Sequence, residues 1–424
     1  MKFRELTQSE FSSFASKHNQ SNFYQTVAWG KLKEINNWQY YFVGVTDDKD
    51  NIIGASLLLS KKIISKYKMF YAPRGFLIDY SDYDLVSFFT SEIKKYLRSK
   101  KGIFIKIDPH VIYKERDKNG AIIEGGIDNT PIYKSLLKLG YQHYGFTNYF
   151  DETLQMRWLF RLPLNKDLEK IVNDYSKSTK KNIEIANRKG VEVKVGTIND
   201  VKQMYAMLEQ TANRRHFKNR DVTYYEHFYR FFAGDMVIYL ATINPELYFK
   251  NTSVFLEREE KNNQEIVGKM NKEKVGRKLL NNKKVSDDLI EKYKQELIES
   301  QEMKGKVLIG CLIAIKSGNE YISLLSGTDT NYKQYNPKYA LYDAYIRDAK
   351  KHNFEYANFY GISGDFDENG TDYGIYEFKK GFQGEIVELI GEFDLIINKL
   401  YYCAYTVLFK LYSQYKKLRI KLKI

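Results

Sequence analysis

The sequence predicts an α/β protein in which one domain-sized block is used twice, with a long helical hairpin inserted in the second copy. Three observations predict it. A strand, turn, helix, strand order occurs before residue 110 and returns after residue 305. The two copies are nearly equal in length, 54 residues from Gly54 to Asp108 and 51 from Gly310 to Gly361, too long for a solenoid module. Between them, residues 246–304 are rich in Lys, Glu, Asn and Gln with sparse apolar residues, a composition that cannot fill a globular core.

In the first copy, the apolar run 52–59 predicts a buried strand, and residues 69–72 lead into the turn Tyr71-Ala72-Pro73-Arg74-Gly75. That turn sets a cation between a rigid proline and a permissive glycine. It suits a phosphate or carboxylate, and equally a plain surface turn. A helix over 84–99 leads to a strand ending at Asp108-Pro109. The Asp108 carboxylate therefore stands at a strand's carboxyl edge, where α/β clefts open, or else caps the next turn. Residues 1–163 form domain 1, closed by Leu162-Pro163-Leu164.

Domain 2 comprises 164–245 and 305–385. Apolar spacing predicts one helix over 167–188, lysine-rich on its outer side, then a strand over 191–195 and a helix over 198–216. Arg220 and Tyr224 are four residues apart and share a face if their segment is helical. In the inserted hairpin, 246–304, Ser286-Asp287-Asp288 offers an N-cap. Ile290, Tyr293 and Leu297 supply one half of a narrow antiparallel coiled-coil seam, and Leu247, Val254 and Met270 the other. After the insert come strands over 307–313 and 321–327, a helix over 339–352 and a strand over 356–361. Alternation in 376–382 suits a strand that turns Phe378 and Lys380 one way and Lys379 the other. Lys379 then meets a nucleic-acid end or an oxyanion, or is an exposed strand lysine. Residues 386–424 form a strand and a basic amphipathic tail, packed on domain 1 or set against a membrane.

At 424 residues and 43% hydrophobic content the chain has ample material for folded cores. Its net charge of +14 suits phosphate-bearing partners such as nucleic acid, nucleotide-linked substrates or anionic lipid. No apolar run reaches the ~20 residues of a spanning helix, and the first residues lack a signal core, so a cytoplasmic location is expected. Cys311 and Cys403 are read as small buried hydrophobes. Walker, dinucleotide-binding, HExxH and nucleophile-elbow motifs are missing, and the six histidines show no metal-ligand spacing. No metal and no cofactor is expected, which leaves catalysis to carboxylates, lysines and backbone amides.

Taken in order, several segments resemble the FemABX family of peptidoglycan branching enzymes across nearly the whole chain. They are residues 23–33, Tyr71-Ala72-Pro73-Arg74-Gly75, Lys106-Ile107-Asp108-Pro109, residues 359–362, residues 376–382 and residues 390–394. The resemblance implies two acyltransferase-like domains of the GNAT type, with a coiled-coil arm in the second. It implies transfer of an amino acid from aminoacyl-tRNA to the side-chain amine of the third stem-peptide residue of a peptidoglycan precursor, lipid II or UDP-MurNAc-pentapeptide. By the same resemblance Lys33, Arg220, Tyr224 and Tyr339 bind the precursor. Phe378 lies at the tRNA end, Lys379 stabilises the oxyanion, and Asp108 accepts the proton. Phe76 stands where the family has proline.

Two other classes compete: a CoA-dependent GNAT-type N-acyltransferase, and a non-catalytic tRNA-binding protein. The first requires a Gly-rich pyrophosphate loop between strand and helix, which the sequence does not contain. The second would bind charged tRNA and leave its ester intact.

Overall fold

A computed structural model describes residues 1–149, 154–215, 217–271 and 275–422. The chain divides into two compact units. The first holds Met1–Pro163, Lys316–Ile322 and Asn358–Ile424; the second holds Leu164–Ile315 and Ser323–Ala357. Residues 358–385, read from sequence as part of domain 2, thus pack in the first unit. The reason is polar: buried Asn358 donates to Glu320 at 2.7 Å, and Glu320 pairs with Arg161 at 3.3 Å, so the second copy's strand ends are tied to first-unit side chains.

In chain order the strands begin with β1 (Lys2–Glu5), β2 (Gln39–Thr46), β3 (Ile52–Ile64), β4 (Tyr67–Ala72), β5 (Gly102–Ile107), β6 (Ile112–Glu115), β7 (Tyr141–His143) and β8 (Trp158–Pro163). They continue with β9 (Val191–Val195), β10 (Met236–Ile243), β11 (Val307–Ser317), β12 (Glu320–Thr328), β13 (Tyr356–Gly361), β14 (Glu385–Leu389) and β15 (Phe393–Ile396).

The first unit is built on a seven-stranded sheet of order β1-β2-β3-β4-β5-β15-β7. Its one parallel pair is β4 with β5, in register Ala72 to Ile107. A parallel pair needs a crossover, here the helix Tyr83–Ser99, which buries Leu85, Phe89, Ile93 and Leu97 against the sheet. This unit explains the site below, because parallel strands end on the same side and so bring the residues after Ala72 and after Ile107 together. Within the segment 386–424, residues 393–396 add the further strand β15, antiparallel to both β5 and β7. Phe393 and Leu395 share a face of that strand and are fully buried in the first unit's core. Beside this sheet, β14 pairs antiparallel with β6 and with β8.

In the second unit β10 lies antiparallel between β9 and β11. The helix expected over 167–188 is two helices, Leu168–Asp174 and Lys177–Arg188. Tyr175 takes an extended ψ of 147°, and the Ser176 hydroxyl caps the new start by accepting from Thr179 N. The expected helix end at His216 lies outside the described residues. The insert forms helices Pro245–Met270 and Arg277–Glu302. Tyr248 donates to Glu299 at 2.8 Å, Phe255 and Tyr293 meet edge to face at 6.1 Å, and Asn263 donates to Ser286 at 3.1 Å. Partners that recede along one helix while advancing along the other define an antiparallel pair. Ser286 is no N-cap: it lies inside the second helix, buried, where it also donates to Glu259 at 2.6 Å. Val254, expected on the seam, is 49% exposed. The seam is partly polar, with ion pairs at its base. Buried Arg188 pairs with Glu296, and Lys189 stands 3.6 Å from the same carboxylate.

Candidate functional site

The turn after β4 is held in an unusual backbone form. Arg74 has φ 60° and Gly75 φ 78°, both left-handed. At Gly75 a Cβ would stand 2.8 Å from the Pro109 Cα and 2.6 Å from the Tyr80 hydroxyl, so only glycine fits. Gln25 braces the turn from the other side, donating to the Pro73 carbonyl at 2.8 Å and accepting from Leu57 N at 2.7 Å.

This geometry aims Arg74 at Asp108. The Arg74 amide donates to Asp108 Oδ1 at 2.9 Å, and its guanidinium stands 3.7 Å from Oδ2. Both side chains are about 5% exposed or less. The Tyr71 hydroxyl is buried beside the Asp108 carboxyl and favours its charged form. Burial pushes the Asp108 carboxyl up to about 7. Arg74 opposes the shift, and the Glu392 carboxylate adds to it. A carboxyl that titrates near neutrality can take a proton at working pH.

Lys379 lies in a helix, Tyr373–Lys380, and not in the strand that alternation suggested. Tyr376 and Lys379, three residues apart, form its buried face, and spacing of this kind is helical. Its ammonium donates to the carbonyls of Phe359 at 2.7 Å, Gly361 at 2.6 Å and Tyr360 at 3.4 Å. Those carbonyls end β13, where Tyr360 has φ 63°. A strained residue held by a buried cation is a site that the surrounding structure over-determines. The Tyr360 hydroxyl in turn meets the Tyr24 hydroxyl at 2.8 Å and donates to Gln155 at 2.9 Å.

Two small hollows flank Arg74. One, about 30 Å³, is lined by Tyr24, His110, Ser317, Glu320 and Tyr360; the other, about 10 Å³, by Asp108, Gln155, Arg157 and Glu392. Burial lowers His110 to about 4, so its ring is neutral at pH 7. Lys33 joins this neighbourhood through stacked rings. Its ammonium lies 4.3 Å over Trp29, which meets Tyr24 edge-on at 4.7 Å. Phe378 is half-buried against Phe382 at 5.4 Å.

The first unit therefore collects Lys33, Arg74, Asp108, Phe378 and Lys379. In the second unit Arg220 and Tyr224 also meet, though not as one helical face. The helix is Val222–Phe231 and Arg220 precedes its cap, Asp221, which accepts from Tyr224 N at 2.7 Å. The Arg220 guanidinium lies 5.5 Å over the Tyr224 ring and is exposed. Tyr339 is half-buried at the start of helix Pro337–Lys351. Next to it, Lys338 is brought down to about 8 by burial, with Arg215 adding to the effect. Sequence reasoning missed Tyr24, Gln25, Tyr360, Glu392 and Lys338. Tyr24 and Gln25 lie in the matched stretch 23–33, which was the available signal. Tyr360 and Glu392 likewise lie in the matched stretches 359–362 and 390–394; Lys338 lies in none, and its burial is a property of the fold. Among the described residues no group of three or more His, Cys, Asp or Glu is placed to hold a metal ion.

Comparison with known proteins gives one consistent result. The model of the FemAB family matches residues 6–410. The aminoacyltransferase FemA of Staphylococcus epidermidis is 29% identical over 416 residues, covering 97% of this chain and 100% of that protein. FemA of Staphylococcus aureus strain bovine RF122 / ET3-1 is 29% identical over 415 residues, with 97% and 99% covered. Among solved structures, FemX superposes with a TM-score of 0.76 at 22% identity, over 95% of this chain and 99% of that one, which shows a shared fold.

Proposed function

We propose that this chain, which belongs to the FemAB family, is an aminoacyltransferase that moves an aminoacyl group from the ester of aminoacyl-tRNA to a peptidoglycan precursor, lipid II or UDP-MurNAc-pentapeptide. The acceptor is the side-chain amine of the third stem-peptide residue, and the product is an interpeptide branch. The observation that carries this reading is the family match over nearly the full chain.

The chemistry is aminolysis. The amine nitrogen attacks the ester carbonyl and a carbon–nitrogen bond forms. The carbon–oxygen bond to the tRNA ribose breaks, and the ribose oxygen leaves with a proton. Asp108, poised near neutrality beside the Arg74 cation, accepts the proton shed by the amine. Lys379 supplies positive charge for the oxyanion by exchanging one of its three main-chain carbonyls for it. An ester is activated relative to an amide, so no covalent enzyme intermediate is needed. Lys33, Arg220, Tyr224 and Tyr339 bind the precursor, the first two through its phosphates, and Phe378 stacks at the tRNA end.

The test is product formation from purified chain, charged tRNA and lipid-linked muropeptide. A branched muropeptide that disappears after RNase treatment of the tRNA supports the assignment. Turnover with acyl-CoA and none with charged tRNA overturns it.

A further inference from the structure

Over residues 399–411 the helix Lys399–Leu422 has two apolar sides, and among the described side chains one is packed and the other exposed. On one side Tyr401 stacks on Tyr67 at 3.9 Å, and Tyr402 and Tyr405 pack on Phe104 at 5.3 and 5.1 Å, which anchors the helix to the first unit. On the opposite side lie Leu400, Cys403, Ala404, Val407, Leu408 and Leu411, at the 3,4 spacing of a single stripe. That stripe faces out: Leu400 is 77% exposed, and Val407, Leu408 and Leu411 are 56–58% exposed. Cys403, read from sequence as buried, is exposed there too.

Charge identifies the occupant. From residue 395 to residue 424 the chain has seven Lys or Arg and no Asp or Glu. Two copies joined along this stripe would bring like charges together, whereas an anionic lipid surface offers both an apolar layer and opposite charge. Among the described residues no helix is long and apolar enough to cross a membrane, so the contact expected is along the surface. We propose that this helix lies on an anionic bilayer, with the Leu400–Leu411 stripe in the headgroup–acyl boundary and its Tyr401/Tyr405 side against the protein. The claim is independent of the acyl-transfer reading.

The test uses the full chain. Cys311 is fully buried, so a polarity-sensitive thiol dye labels Cys403. With phosphatidylglycerol vesicles the dye emission is expected to shift blue, and sedimentation to show roughly tenfold or greater preference over phosphatidylcholine vesicles. The triple variant Leu400→Ser, Val407→Ser, Leu411→Ser is expected to lose binding about tenfold with its melting temperature unchanged. An independent variant, Lys416→Glu with Lys417→Glu, is expected to remove the preference for the anionic lipid. Equal sedimentation of parent and both variants would overturn the proposal. So would a dimer of the parent, seen by light scattering, that the serine variant breaks.

Discussion

The Arg74 amide donates to Asp108 Oδ1 at 2.9 Å while its own guanidinium stands 3.7 Å from Oδ2, so one residue holds the carboxylate by backbone and by charge. The contact exists because β4 and β5 are parallel and end together, and because Arg74 takes a left-handed φ that turns its amide towards β5. Burial still wins over that cation, and the carboxyl is pushed up to about 7.

A stability slope follows from this shift. The folded carboxyl is raised above its unfolded value, so between about pH 4 and pH 7 the folded state binds the extra proton, and stability falls as pH rises through that window. Asp108→Asn is expected to remove this component of the slope, and its relative gain over the parent above pH 7 is on the order of a few kcal/mol at most. Urea unfolding of both proteins at several pH values checks it. The same substitution is expected to lower turnover by about 10²–10⁴.

Gly75→Ala places a Cβ 2.8 Å from the Pro109 Cα at φ 78°. A loss of about 1–3 kcal/mol is expected, together with a displaced pH–rate midpoint, because Pro109 adjoins Asp108. Thermal unfolding and a pH profile read the two effects separately.

Lys379→Met leaves the carbonyls that end β13 without their shared donor. Turnover is expected to fall at least ~10²-fold, with about 1–3 kcal/mol of stability lost. Circular dichroism at a temperature well below the transition shows whether the variant is folded when turnover is measured.

Arg220→Ala removes an exposed cation stacked on Tyr224. Stability is expected to change by less than about 0.5 kcal/mol while KM for the precursor rises and kcat holds. Steady-state kinetics at saturating charged tRNA tests this.

Glu296→Ala strands buried Arg188 at the base of the paired helices. A loss of about 3–5 kcal/mol is expected, measured by chemical denaturation.

Much of the fold was legible in residue patterns. The strand, turn, helix, strand order predicted β4, the helix Tyr83–Ser99 and β5, and with them Asp108 at a strand's carboxyl edge. Arg74 stood out because proline and glycine flank it, but the sequence left a plain surface turn equally open, and its burial against Asp108 depends on β4 and β5 ending together. Three features were not. The segment around Lys379 alternates like a strand over seven residues, yet its partners lie on one helical face. Ser286 reads as a cap because a serine followed by acids usually starts a helix, but here it fills a polar seam opposite Asn263. The left-handed Tyr360, held by a lysine 19 residues later, depends on tertiary contacts that leave no local trace. Short-range pattern reports elements well and side-chain networks poorly.

The most direct measurement is a single-turnover experiment with the parent chain, charged tRNA and precursor, read by mass spectrometry of the muropeptide. The expected result is one aminoacyl residue on the third-position amine and an equal amount of uncharged tRNA. Its rate should rise through a midpoint near pH 7 and be lost in Asp108→Asn. An unconsumed tRNA ester, or undiminished product formation by Asp108→Asn, would contradict the account.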